Sequence, residues 1–415
     1  RVMIWHVCSK NTLKIVLALS LTLPFSCIAQ TDQSSLAPIP GAQNMEKYLP
    51  LLQGKKVGLV ANQTSVIRVT TGDKNNFTHL VDTLHSRGVQ LQKVFAPEHG
   101  FRGRADAGAL IANGLDQKTG LEVISLYGAR KKPQPEDLSD INLMVFDIQD
   151  VGARFYTYIS TLHYVMEACA EHNIPLIVLD RPNPNGHYID GPLLKEGFKS
   201  FVGMHPVPVV YGMTIGEYAQ MINGESWLNQ SVKADLTVIP VAQYAHQTPY
   251  SLSIPPSPNL RSDQAIALYP SLCFFEGTSM SAGRGTDRPF EIFGSPDLDP
   301  DNYPYRFRPI ARQGAQAPKF KDELCQGLDL GAIKVPDHLE LTWLLDAYRA
   351  VSTKGDSTSK SFFNNFFDKL AGTDQLKKDI LAGMSADEIR ARWADDINTF
   401  KKIRVKYLLY PEGMD

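Results

Sequence analysis

Two segments of the sequence bring together ionisable side chains of the types that acid–base catalysis uses. In the first, FAPEHGFRG, an apolar run ends and Glu98, His99 and Arg102 follow closely, with Pro97 and Gly100 flanking the glutamate. A carboxyl group held at such a turn is partly withdrawn from water, which favours the protonated form that a general acid needs. Glu98 is therefore the leading catalytic candidate. His99 is a candidate to tune Glu98, to bind substrate or to serve only the structure, and Arg102 is a candidate substrate ligand or a solvated loop charge.

The second segment, FFEGTSMSAGRGTDRPFE, has similar chemistry, because Glu276 follows an apolar run and Arg284 and Asp287 come soon after it. Its Gly-Arg-Gly spacing matches neither a dinucleotide-binding nor a Walker phosphate loop. Its serines do not fit the G-x-S-x-G nucleophile elbow, and H-E-x-x-H metal spacing is missing from the sequence. We therefore predict no metal and no cofactor. Two carboxylates with arginine neighbours are typical of a cleft that grips a sugar, and glycoside hydrolysis usually needs such a pair.

The elements that position these residues follow from the apolar pattern. Five apolar runs each turn polar at their end, and helical segments alternate with them; the runs are KKVGLVANQT, VQLQKVFAPEH, LEVISLYG, INLMVFDIQD and IPLIVLDRPNP. The helical segments are NFTHLVDTLHSRG, with apolar positions from Phe77 to Leu84, and YTYISTLHYVMEACAEHN. Continuous apolar strands that alternate with helices predict a parallel sheet covered on both faces, in a Rossmann-like α/β domain over residues 43–235.

Ligands of open parallel sheets bind in the crevice beyond the carboxyl ends of the strands. Asp150, one of the polar residues that follow predicted strands, has an alternative role as the cap of the helix that comes after it. Thr214 and Glu217 form a capping box, so we interpret Glu217 as structural. The polar residues that follow predicted strands are Asn62, Glu98, His99, Asp147, Gln149, Asp150, Asp180, Arg181, Asn183 and Asn185.

The remainder of the chain, residues 236–415, has a different texture and predicts a smaller α+β domain, with the active site in the cleft between the two domains. SIPPSPNLRSDQAIALYP is rich in proline, so we expect neither a central strand nor a helix interior in it. Ser385 and Glu388 form a capping box and predict a helix that carries Ile389 and Trp393 on its apolar face.

Composition and the N-terminus limit the class of protein. Lys plus Arg total 42 and Asp plus Glu total 44, for a net charge of −2, so no basic surface for nucleic acid is expected. Residues 1–29 combine a positive flank, a short apolar run and a small-residue end, which predicts a secretory signal with cleavage before Gln30. Lipidation at Cys27 is an alternative that Pro24 disfavours. Met3 is a plausible natural start, because position 1 is arginine.

The mature protein is expected to be periplasmic or extracellular, with no stable membrane span once the signal is removed. Cys169, Cys273 and Cys325 remain, and their wide spacing predicts neither a disulfide framework nor a zinc site. The sequence does not predict the oligomeric state.

Nine phrases in order resemble the NamZ-type exo-β-N-acetylmuramidases, a family long catalogued as a domain of unknown function. They run from about residue 44 to the C-terminus and are GLVANQTSV, FAPEHGFRG, VFDIQDVGARFYTYISTL, VLDRPNPNG, GPLL, YGMTIGEYAQMIN, SPNL, ALYPSLCFFEGT and GRGTDRPFE. The resemblance implies a peptidoglycan glycosidase that releases N-acetylmuramic acid from the non-reducing end of wall-derived saccharides. It also implies that Glu98, in the family's P-E-H-G-F motif, is catalytic.

On this interpretation Glu98 is the general acid or base. A second carboxylate stabilises the transition state, acts as nucleophile or activates water; Glu276 is the first candidate for it and Asp150 the second. An alternative mechanism uses the acetamido oxygen of the substrate as nucleophile. Asn62, Asn183, Asn185 and Asp287 are candidate sugar ligands. An arginine suits the lactyl carboxylate of muramic acid, and the candidates are Arg102, Arg154, Arg181 and Arg284. Competing hypotheses are a non-catalytic periplasmic binder of wall sugars and an exported esterase or amidase.

Overall fold

The computed structural model of the chain describes residues 37–69, 76–102, 114–352 and 362–413. The strands are β1 (Lys56–Ala61), β2 (Val66–Arg68), β3 (Phe77–His79), β4 (Gln90–Ala96), β5 (Gly114–Leu115), β6 (Glu122–Ser125), β7 (Leu143–Asp147), β8 (Leu176–Leu179), β9 (Leu236–Ile239), β10 (Ile292–Ser295), β11 (Tyr305–Phe307) and β12 (Cys325–Asp329). The helices are α1 (Met45–Leu52), α2 (Leu80–Ser86), α3 (Pro135–Leu138), α4 (Tyr158–Glu171), α5 (Ile215–Gly224), α6 (Asp263–Leu272), α7 (Thr342–Ser352), α8 (Phe367–Ala371), α9 (Gln375–Leu381), α10 (Ala386–Arg392) and α11 (Ala394–Arg404).

A seven-stranded sheet in the order β5-β6-β4-β1-β7-β8-β9 forms the centre of the fold. All neighbouring pairs are parallel except the edge strand β5, which runs antiparallel to β6. Successive residues of a strand enter different cores, since Leu59 and Val145 belong to one buried cluster and Val60 and Phe146 to the other. Both faces are therefore covered, which explains the continuous apolar runs. The predicted Rossmann-like parallel sheet is confirmed.

The strand order reverses between β1 and β7, which start the two halves of the sheet. In doubly wound sheets this reversal opens a crevice at the carboxyl ends of the strands, because the connecting helices leave towards opposite faces. The ends of β1, β4 and β7 are therefore the place where a ligand is expected.

The helices predicted next to these strands are present with one difference. The pattern that began at Phe77 predicts a helix, but Phe77 lies in β3, which pairs with β2 as a two-stranded antiparallel ribbon. The helix begins only at Leu80, where the His79 ring accepts a hydrogen bond from the Val81 N–H and so caps it. The capping boxes predicted at Thr214 and Ser385 are both formed.

The C-terminal part contains a three-stranded antiparallel sheet, in the order β10-β12-β11, and the helices α7 to α11. This agrees with the expected α+β composition. The large sheet extends through β9, whose residues 236–239 lie just beyond the predicted range 43–235.

The proline-rich segment is a loop only in its first half, so the expectation for its second half was wrong. The described structure places a helix, α6, over residues 263–272 with Pro270 inside it. Pro270 has no N–H to donate to the carbonyl of Ile266, one turn earlier. The Asn185 side chain donates to that carbonyl instead, at 3.1 Å. A partner distant in sequence thus accommodates the proline.

Among the described residues, no helix combines the length and the apolar character needed to cross a membrane. Cys169, Cys273 and Cys325 are buried free thiols.

Candidate active site

Glu98 lies on a tight turn at the carboxyl end of β4. The Gly100 N–H donates to the Pro97 carbonyl at 3.0 Å, which places Glu98 and His99 at the corner. His99 has a left-handed backbone, with φ of 70°, and its side chain is buried. Such a conformation costs a non-glycine residue about 1–3 kcal/mol and is often found at functional sites. The turn projects Glu98, which is half-buried, from the edge of the sheet.

Two hydroxyl groups lie beside the Glu98 carboxylate. The Thr157 hydroxyl, at the start of α4, donates to Glu98 Oε2 at 2.8 Å. The Tyr127 phenol lies close enough that burial, reinforced by the negative charge of Glu98, raises the pKa of Tyr127. A carboxylate with hydroxyl groups around it is held in one orientation.

Asn62, at the end of β1, connects this edge of the sheet to the proline-rich loop. Its side-chain amide donates to the Tyr158 hydroxyl at 3.0 Å. The hydroxyls of Tyr156 and Tyr158 both donate to the Pro256 carbonyl, at 2.9 and 3.1 Å. The loop is therefore fastened over the carboxyl ends of the strands.

Three tyrosines, which we call the tyrosine cluster (Tyr156, Tyr158 and Tyr269), pack edge to face against one another. The Tyr156 ring centroid is 4.8 Å from that of Tyr158 and 5.8 Å from that of Tyr269. Burial raises the pKa of Tyr158, and the charge of Glu98 adds to this effect. Burial likewise raises the pKa of Tyr269, with a smaller contribution from Glu276. Glu98 thus affects Tyr158 and Glu276 affects Tyr269, which are two members of the cluster.

Glu276 and Arg284 form an ion pair whose charges both act on Tyr269 of the tyrosine cluster. Arg284 Nε donates to Glu276 Oε1 at 3.0 Å, and the two side chains remain 24% and 27% exposed. The Arg284 guanidinium also lies over the Phe290 ring, 5.0 Å from its centroid. Lys319 fixes the backbone of this segment by donating to three carbonyls, of Phe275, Thr278 and Met280.

Asp150 is buried behind the tyrosine cluster and does not cap α4. Its Oδ2 accepts hydrogen bonds from the Tyr211 hydroxyl and from the Gly152 N–H. Its Oδ1 is buried with no hydrogen-bond partner among the described residues. Burial raises the pKa of Asp150 to about 6. The carboxyl group therefore exchanges its proton near neutral pH, but it lies below the surface.

The arginines predicted to bind substrate differ in their partners. Arg181 is buried and pairs with both oxygens of Asp147, at 2.6 and 2.9 Å. Arg102 binds Asp116 in a similar two-atom arrangement. Arg154 is fully buried and donates to four backbone carbonyls. Arg181 and Arg102 bind their carboxylates through Nε and Nη2 together. Arg284 binds Glu276 through Nε, and among the described residues its terminal nitrogens make no hydrogen bond, so they remain for a ligand.

The predicted amide and acid ligands of the sugar also differ in their partners and their burial. Asn183 donates to the Met213 carbonyl, and Asn185 donates to the carbonyls of Val151 and Ile266, so both buried side chains fasten loops. Gly152 makes this packing feasible, because a Cβ there would come within 2.3 Å of the Asn183 side chain. Asp287 is exposed and pairs with Arg312.

The sequence patterns did not single out Tyr127, Thr157 or the tyrosine cluster. Their only signal was aromatic and hydroxyl density in LYG and FYTY, just after predicted strands. Within the described residues no group of three or more metal-ligating side chains occurs. A cavity of about 340 Å³ between β10, β12 and α7 contains none of the predicted site residues.

Comparisons with known proteins identify the family of the chain. Family models described as exo-beta-N-acetylmuramidase NamZ match residues 57–264 (N-terminal) and 267–410 (C-terminal). The peptidoglycan beta-N-acetylmuramidase NamZ of Bacillus subtilis (strain 168) is 37% identical over 381 residues, which cover 88% of this chain and 89% of that protein.

Two crystal structures of DUF1343 family proteins from Bacteroides fragilis NCTC 9343 have the same fold. One superposes with a TM-score of 0.81 at 42% identity and covers 91% of this chain and 100% of that chain. The other has a TM-score of 0.74 at 30% identity and covers 90% and 99%. The resemblance noted in the nine phrases is confirmed, and the chain belongs to the exo-beta-N-acetylmuramidase NamZ family.

Proposed function

We propose that this chain is an exo-acting β-N-acetylmuramidase that releases N-acetylmuramic acid from the non-reducing end of peptidoglycan fragments. Membership of the family supports the reaction class, and the Bacillus subtilis relative is named for the same bond in peptidoglycan. The observation that carries the proposal is the position of Glu98 on the turn after β4, where the Thr157 hydroxyl donates to its carboxylate.

In this mechanism Glu98 transfers a proton to the glycosidic oxygen as the bond to the anomeric carbon breaks. Positive charge develops on the sugar ring as the bond breaks, and a second carboxylate stabilises it. Water then adds to the anomeric carbon and gives its proton to a carboxylate of the site, so that free N-acetylmuramic acid is released. We assign the stabilising role to Glu276, because its side chain is partly exposed and already bound to Arg284. Asp150 suits the role less well, since it is buried and bound to Tyr211.

The lactyl carboxylate distinguishes muramic acid from other hexosamines, and we assign its recognition to Arg284. A guanidinium group binds carboxylates through paired N–H donors. The other three candidate arginines use these donors on Asp116, on Asp147 or on backbone carbonyls.

The substrate assay is release of the aglycone from a chromogenic N-acetylmuramic acid glycoside, with the matching N-acetylglucosamine glycoside as control. We expect release from the first only. Tight binding of wall saccharides with no release from either glycoside would support the non-catalytic binder instead. Release of acetyl or amide groups alone would support the esterase or amidase.

Glu98→Gln tests the proton transfer, because an amide cannot supply the proton. General acid catalysis is worth ~10²–10⁴ in rate, so kcat should fall at least about 100-fold. Glu122→Gln, at an exposed position on β6, is the matched control and should leave kcat unchanged. Retention of more than about a tenth of the wild-type rate by Glu98→Gln would exclude Glu98 as the acid.

We also propose that the protein is exported. Residues 1–29 lie outside the described residues, and the proposal rests on their charge and apolar pattern. Mass spectrometry of the mature protein should find Gln30 at the N-terminus. An intact N-terminus in cells would contradict export through this signal, and a lipid on Cys27 would support the lipoprotein alternative.

A further inference from the structure

Thr157 occupies the N-cap position of α4, but its side chain does not cap that helix. Its backbone is helical, with φ of −73° and ψ of −4°, whereas N-cap residues usually have an extended backbone that lets the side chain turn back. In α5, α6 and α10 of the same chain, Thr214, Ser262 and Ser385 accept a hydrogen bond from the third helical N–H in the usual way. Thr157 therefore makes no cap hydrogen bond, as is also the case for Asn44 before α1 and Asp374 before α9.

The Thr157 hydroxyl binds Glu98 instead. It donates to Oε2 at 2.8 Å, across 59 positions of sequence. A glutamate side chain has several rotatable bonds and loses considerable conformational freedom when it is held. This bond connects the carboxylate of Glu98 to the first turn of a helix whose residues are mostly buried. The carboxylate is thus held from two elements, by its own turn after β4 and by α4.

We propose that Thr157 is a positioning residue that aims the Glu98 carboxyl group at the glycosidic oxygen. This inference rests on the proposed function of Glu98. A misplacement of about 1 Å can cost on the order of 100-fold in rate, because the reacting groups must meet in one geometry. The hydroxyl of Thr157 gives up capping its helix and fixes that geometry.

The test compares Thr157→Val, which keeps the shape and removes the donor, with Thr157→Ser, which keeps the donor. With the muramic acid glycoside, we expect Thr157→Val to lower kcat by about 10–100-fold and to change KM by less than about threefold. Thr157→Ser should keep at least about a third of the wild-type kcat.

Thermal unfolding separates positioning from folding. Thr157→Val removes no helix cap but removes one hydrogen bond to a half-buried carboxylate, so its midpoint should fall by no more than about 5 °C. If it melts earlier than that, Thr157→Ala is assayed below its own midpoint and should show the same loss of kcat. A valine variant with wild-type kcat, a loss confined to KM, or an equal loss in the serine variant would each overturn the proposal. An inactive wild type would instead contradict the proposed function.

Discussion

Arg284 differs from the other arginines of the predicted substrate set in what its guanidinium group is left to bind. Its Nε is used on Glu276, and the side chain is about a quarter exposed. Arg181 and Arg154 are buried, and all their bonds are to internal groups. Residue type alone made these arginines equivalent, and only their three-dimensional partners distinguish them.

Arg284→Ala should therefore weaken binding of N-acetylmuramic acid by about 10–100-fold, because a hydrogen bond to a charged group contributes about 1.5–3 kcal/mol. Binding of N-acetylglucosamine, which lacks the lactyl group, should change by less than about threefold. Isothermal titration calorimetry with the two sugars measures both effects.

Arg102→Ala is the matched control for this prediction. Arg102 is a third exposed but binds Asp116 through two nitrogens, so its loss should leave the preference for muramic acid unchanged. Equal weakening of both sugars by Arg284→Ala would contradict a role in lactyl recognition.

Arg154 connects several elements of the fold, because its four carbonyl partners belong to three separate segments. Nη1 donates to the carbonyls of Pro192 and Val207, both at 2.7 Å. Nη2 donates to Leu370 and Ala371 at the end of α8, at 3.0 and 2.6 Å. A cation at a helix C-terminus is favourable. Arg154 therefore joins the loops after β8 to α8.

Arg154→Met should destabilise the protein by about 3–5 kcal/mol, since it leaves buried carbonyls without donors. Arg154→Lys, with three donors, should lose less. Differential scanning calorimetry should show the order wild type, lysine variant, methionine variant. The KM of either variant, measured below its unfolding midpoint, should stay within about twofold of the wild type. A raised KM with an unchanged unfolding midpoint would instead indicate that Arg154 binds the substrate.

The elements were largely predictable, because a parallel strand that is buried on both faces appears in the sequence as a continuous run of apolar residues. The short strands β2, β3 and β5 were not predictable in this way, since two or three residues are too few to show an apolar pattern. Glu98 and the Glu276–Arg284 segment stood out by residue type. Thr157 could not be found in this way, because its partner is 59 positions away and its type is common. Pro270 was misjudged for the same reason, since Asn185 compensates for it from a distance.

At the scale of the whole molecule, the C-terminal segment is tied to the N-terminal sheet. The backbone N–H groups of Leu409 and Tyr410 donate to Glu217 Oε1, at 2.8 and 3.3 Å. The Tyr410 hydroxyl donates to Asp180 Oδ2 at 2.5 Å. Asp180 directly follows β8 and is fully buried. The C-terminal segment thus supplies donors to two buried carboxylates, Glu217, which the sequence had already marked as structural, and Asp180.

Tyr410→Phe should destabilise the protein more at pH 8 than at pH 5. Burial raises the pKa of Asp180 to about 7, from an ordinary value of 3.8. The folded state therefore keeps a proton that the unfolded state has released, and this contribution to stability is lost as the pH rises through 7. Above pH 7 the Tyr410 hydroxyl stabilises a buried charge, worth about 1.5–3 kcal/mol, whereas at pH 5 it binds a neutral carboxyl group, worth about 1 kcal/mol.

Urea unfolding at the two pH values, followed by tryptophan fluorescence, measures this difference. The midpoint of Tyr410→Phe should fall below that of the wild type at both pH values, with the larger fall at pH 8. Leu409→Ala is the control, because the neighbouring leucine side chain is 41% exposed, and its midpoint should follow the wild type at both. Equal falls at pH 5 and pH 8 would show that Tyr410 does not stabilise the charged form of Asp180 more than its neutral form.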